Sequence, residues 1–67
     1  MWLSKGDYVT NVLTGVTSRV VERYGNTHNA WVATYLVVSS RYAYVVSSVK
    51  HLRPAMPGEI RVFERED

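Results

Sequence analysis

Ala30-Trp31-Val32-Ala33-Thr34-Tyr35-Leu36-Val37-Val38 is a run of nine residues in which only Thr34 is polar. Its β-branched and aromatic residues favour an extended backbone, and Asn29 and Ser39-Ser40 bracket it as strand boundaries. At period two, Trp31, Ala33, Tyr35 and Val37 share one face, and Val32, Thr34, Leu36 and Val38 share the other. Neither face is built for water. One face therefore fills the core, and the other needs cover from elsewhere in the chain, from a second copy or from a ligand.

The 67 residues around this strand suffice for one small domain, which buries about 60% of the surface its unfolded chain exposes. With no cysteine there is no disulfide framework to reinforce so small a core. This favours a cytoplasmic setting and makes oligomerisation a plausible source of further burial. Met1-Trp2-Leu3-Ser4-Lys5 is too short and polar for a signal peptide, and no apolar run reaches membrane-spanning length, so a soluble protein with no membrane partner is expected. Charge is uneven. Residues 1–58 carry six basic side chains against Asp7 and Glu22, giving +4, whereas residues 59–67 carry four acidic against Arg61 and Arg65, giving −2.

Outward from the central strand, Gly25 to Asn29 reads as a hairpin loop, preceded by a strand over Val16 to Tyr24. Alternation there makes Val20 a core residue and sends Arg19 and Arg23 out together. Leu13-Thr14-Gly15 reverses the chain after a short strand, Tyr8 to Val12, with Val9 inward and Tyr8 outward; Lys5-Gly6-Asp7 is a turn before it. On the other side, Ser39-Ser40-Arg41 turns into a strand over Tyr42 to Val46. Ser47 to Lys50 suits a 3-10 turn, and His51-Leu52-Arg53 is a short fifth strand. Pro54 and Met56-Pro57-Gly58 interrupt pairing. Glu59 to Glu64 alternates apolar with charged and is expected to add a sixth strand, no helical period being evident. The expectation is an all-β, five-stranded barrel over residues 1–55 with a C-terminal tail over 56–67. Val9, Val20, Val32, Leu36, Val38, Val49 and Leu52 form an aliphatic core without any aromatic, leaving Trp31 and Tyr35 outside.

Gly6-Asp7-Tyr8-Val9, Thr14-Gly15 before Arg19-Val20-Val21, and Val49-Lys50-His51-Leu52-Arg53-Pro54 resemble the opening and close of small SH3-like barrels, the group that includes KOW and Tudor-type modules. The resemblance spans about residues 5–54 and implies fold more than function; Ser18 stands where a KOW glycine commonly precedes the core strand. Gly6 to Val9, Val20-Val21, Tyr24 and Val49 to Leu52 are also similar to the plasmid-borne type II dihydrofolate reductase, a barrel that tetramerises around a pore. That family's Val-Gln-Ile-Tyr run is Tyr42-Ala43-Tyr44-Val45-Val46 here, so the resemblance implies architecture without the reductase activity.

No pattern in the chain marks catalysis. His28 and His51 stand far apart with no cysteine beside them, so no metal site is expected. The serines lack a base and an orienting acid, the glycines are scattered singly, and no cofactor is expected. Binding is the remaining class. Arg19, Arg23, Lys50, His51 and Arg53 with Tyr8 make a candidate surface for phosphates and stacked bases, which makes nucleic acid the first expected partner. Trp31, Tyr35, Tyr42 and Tyr44 make a candidate oligomer interface, most simply of a two-fold homodimer; an aromatic cage for a cation or peptide, lined by these four and Tyr24, is the weaker reading.

Overall fold

The computed structural model describes residues 3–27 and 29–66. Five antiparallel strands form one sheet: β1 (Tyr8–Asn11), β2 (Thr17–Tyr24), β3 (Trp31–Val38), β4 (Arg41–Ser48) and β5 (Leu52–Pro54). A 3-10 turn, Val49–His51, precedes β5, and a helix, α1, spans Pro57–Glu66. The spatial order is β4-β3-β2-β1-β5, so the five-stranded antiparallel sheet expected from the sequence is present, in a compact body consistent with a small barrel. Pairing Asn11 with Leu52 and Val9 with Pro54 brings the two ends of the barrel sequence together. Pro54, opposite Val9, is the last residue of β5, and His51 belongs to the 3-10 turn.

Local chemistry accounts for the reversals. The turn before β1 is closed by Asp7 N–H to Ser4 C=O at 3.0 Å and by Ser4 N–H to the Asp7 carboxylate at 2.9 Å. Gly6 sits at φ +94°, in the left-handed region open to glycine. Ser39 and Ser40 form the two-residue link between β3 and β4, both at positive φ, 51° and 64°. That is the pattern of a type I′ turn, whose twist matches the flanking strands.

The buried apolar cluster is Leu3, Val9, Val20, Val32 and Leu52, with Val49 packed against it. The expected inward valines of β1, β2 and β3 hold these places. Two corrections follow. Val38 is exposed at the turn end of the β3–β4 hairpin, where β4 is the last strand and no further described strand pairs beyond it. Phe63 is buried at 6% exposure, so an aromatic does contribute to the packed interior, from the tail.

The tail is not a sixth strand. Pro57 occupies the first helical position, where its missing N–H costs nothing, and Glu59 at the third position accepts the Met56 N–H at 2.7 Å, half of a capping box. Ile60 and Phe63 fall three residues apart on the face turned to the sheet, while Val62 points to solvent. The alternation of Glu59, Ile60, Arg61 and Val62 imitated a strand because Phe63 supplies the inward contact one residue after it.

A bulge in β2 separates the two arginines expected to project together. The register with β3 runs Arg19 to Tyr35 and Val20 to Thr34, then skips Val21 so that Glu22 faces Ala33 and Arg23 faces Val32. Directly opposed residues share a face, so Arg19 lies outside with Tyr35, whereas Arg23 lies on the side of Val32.

Candidate functional site

The outer face of the sheet has two halves. In one, Arg53, Thr10 and Thr17 stand in a row across β5, β1 and β2, and Tyr8, Arg19, Tyr35 and Tyr44 stand in the next row across β1, β2, β3 and β4. The helix α1 lies over the first of these rows and the near end of the second. Glu59 binds Arg53 through two contacts of 2.9 Å, and the Thr10 hydroxyl pairs with the Thr17 hydroxyl at 2.8 Å. Phe63 meets Tyr8 edge-on at 5.4 Å between ring centroids and Tyr35 at 5.7 Å. The Tyr8 hydroxyl donates to Glu64 at 3.4 Å. Burial beneath the helix explains why Thr10, an outward residue by position, has no exposure at all.

Hydrogen bonds from Arg53 and from the Met56 N–H hold the Glu59 carboxyl down at about 2, from an ordinary 4.5. The carboxylate therefore binds its proton less readily folded than unfolded. Its contribution to stability is complete above the ordinary value and disappears as pH falls from 4.5 to about 2. The attachment of α1 is expected to loosen across that window, read as loss of nuclear Overhauser contacts between Phe63 and Tyr8. Glu59→Gln should remove the pH dependence, and an unchanged acid profile in that variant would refute the assignment.

The other half of the outer face is solvent-exposed at Trp31, Tyr42, Tyr44 and Val46. Tyr35 meets Tyr42 edge-on at 5.4 Å and Tyr44 at 6.4 Å, the three enclosing a hollow of about 190 Å³. Around them Trp31 is 53% exposed, Tyr42 63%, Tyr44 71% and Val46 60%. Register explains the grouping. Trp31 stands opposite Ser48, Ala33 opposite Val46, Tyr35 opposite Tyr44 and Val37 opposite Tyr42, so all lie on one face of the β3–β4 hairpin. On its opposite face Val45 and Val38 are exposed as well.

The residues expected to touch nucleic acid are dispersed by this geometry. Arg19 and Tyr8 do meet: the Arg19 guanidinium sits 5.1 Å from the Tyr8 ring centroid, while its Nε donates to Gly6 C=O at 3.1 Å. A hydrogen bond to the Tyr35 hydroxyl and the Tyr8 phenol raise the Arg19 pKa further. Partial burial pushes the Tyr8 phenol up, Arg19 opposing and Glu64 adding to the shift. Arg53 is paired with Glu59, and Arg23 donates to Gly25 C=O at 2.9 Å on the other side of the bulge. Lys50 and His51 are exposed on the 3-10 turn. His28 lies outside the described residues. Of the expected interface residues, Tyr35, Tyr42 and Tyr44 are in mutual contact, and Trp31 lies two rows away on the same face.

Sequence reasoning missed the latch of Glu59 and Arg53, although Pro57 and Glu59 at the first and third helical positions are a legible start signal. Among the described residues, no group of three histidine, aspartate or glutamate side chains converges as a metal site would require, and no helix is long and apolar enough to cross a membrane. No protein-family model matches the chain, and neither a curated protein nor a solved structure does.

Proposed function

We propose that the chain is a small non-enzymatic binding module, an SH3-like barrel in type, that assembles with copies of itself through the surface around β4. The order β4-β3-β2-β1-β5 with a 3-10 turn before β5 supports the SH3-like reading. One observation carries the function: β4 is an outermost strand with Tyr42, Tyr44, Val45 and Val46 all exposed and no charged residue between Arg41 and Lys50. Edge strands of monomeric proteins are blunted by charge, proline or a covering element. The opposite edge strand, β5, is only three residues long and ends at Pro54, whereas β4 runs eight residues without a proline. Tyrosine and tryptophan are enriched where proteins meet, because each buries a large ring while its polar tip stays paired or wet.

Light scattering from low to high micromolar concentration tests the proposal. The full chain is expected to reach at least the mass of a dimer, and Tyr42→Ser combined with Val46→Thr to shift it towards the monomer while circular dichroism keeps its β signature. A chain that stays monomeric throughout would overturn the reading. If that monomer instead bound single-stranded oligonucleotides with an affinity falling steeply in salt, nucleic acid would take the place of a second copy, with Lys50 and His51 as exposed contacts.

A further inference from the structure

The hydrogen-bonding parity of β4 defines how a second copy meets it. Val38-Ser39-Ser40-Arg41 is a two-residue hairpin turn with Val38 opposite Arg41, so these two form the hydrogen-bonded pair that closes the turn. Pairs alternate from there along an antiparallel ladder. Ala43, Val45 and Ser47 therefore bond to β3, whereas Tyr42, Tyr44, Val46 and Ser48 turn their N–H and C=O groups to the free edge. Three of these four, Tyr42, Tyr44 and Val46, also expose their side chains on the outer face.

Resting on the self-assembly reading, we infer that β4 pairs antiparallel with β4 of a second copy about a two-fold axis at Tyr44, joining two five-stranded sheets into one of ten strands. Continuity of the outer face across the junction requires opposed residues of like parity, so the axis passes through a residue and not between two. Centred on Tyr44, the pairing sets Tyr44 against its own counterpart, Tyr42 against Val46, and Ala43 against Val45. Each outer pair joins an aromatic ring to a ring or a β-branched chain, and the inner pair joins a small residue to a larger one. Centring on Val45 would instead draw Ser48 into the ladder, but Ser48 is buried and its side chain accepts the Lys50 N–H at the start of the 3-10 turn. An unrelated peptide offers no such two-fold match, and the uncharged run from Tyr42 to Val49 brings no like charges together.

Because Tyr44 meets itself, charge at this position tests the register. Tyr44→Lys alone and Tyr44→Glu alone are each expected to weaken the dimer roughly tenfold or more, and an equimolar mixture to restore it as a heterodimer. The chain has no cysteine of its own, so single cysteine variants give an independent reading under oxidised glutathione. Tyr44→Cys is expected to cross-link with itself. Ala43→Cys should cross-link with Val45→Cys when the two are mixed, while Val45→Cys alone stays uncross-linked. Self-cross-linking of Val45→Cys ahead of Tyr44→Cys would overturn the register. A dimeric wild type whose Tyr44→Lys and Tyr44→Glu variants stay equally dimeric would overturn edge pairing alone, and a monomeric wild type would overturn self-assembly and edge pairing together.

Discussion

Phe63→Ala is expected to cost about 3 to 5 kcal/mol of folding stability, the range for removing a buried phenylalanine side chain. In a domain whose core supplies roughly 3 to 5 kcal/mol in total, that is most of what holds it folded. The size of the effect follows from position. Phe63 is the buried anchor of α1, in edge contact with Tyr8 and Tyr35, so truncation leaves a cavity and also frees the helix. A ten-residue helix lies below the length at which helices persist alone in water, so α1 depends on this docking. Urea denaturation followed by near-ultraviolet circular dichroism measures the loss. Val62→Ala, one residue earlier but exposed, should stay within about 0.5 kcal/mol of wild type. Equal effects from the two variants would mean that α1 does not dock through Phe63.

Leu3→Ala is expected to cost about 3 kcal/mol and to lower the melting temperature by on the order of 15 °C. Leu3 is 1% exposed and joins Val9, Val20, Val32 and Leu52 in the core, although it precedes every strand. Its backbone lies at φ 67°, where a branched L residue is disfavoured, so burial of the side chain must offset local strain. A thermal melt checks this. A variant that melts with the wild type would show that the N-terminal residues contribute nothing to the core.

These two residues also mark where the sequence ceases to be legible. The strands carried by Val9, Val20, Val32 and Leu52 are readable because period-two patterning and turn residues agree along them. Leu3 has no such pattern, since a single residue before the first turn has no periodicity. Phe63 reads as part of a strand because three consecutive alternations precede it, and helix and strand periods cannot be told apart over so few residues. The bulge at Val21 was invisible for a different reason: Val20 and Val21 are both apolar, so nothing in composition marks which one leaves the ladder. That one skipped residue decides whether Arg19 and Arg23 form a shared basic face. The aromatic patch was readable as outward-facing from β3, but its bareness depends on α1 covering only one half of the sheet.

The pairing of β1 with β5 has a consequence for the order in which the chain folds. Asn11 and Leu52 are far apart along the chain, while β2, β3 and β4 are joined by short reversals, so the β1–β5 contact carries the largest loop-closure entropy in the sheet. The helix cannot seat fully before that closure, because Glu59 binds Arg53 of β5 while Phe63 packs on Tyr8 of β1. The β2–β3–β4 meander therefore forms first, and α1 arrives last. During that interval both edges of the growing sheet are open to other chains. Closure replaces the β1 edge by the three-residue β5, which ends at Pro54, and leaves the eight-residue β4 as the longer edge on which association, productive or aggregating, can continue.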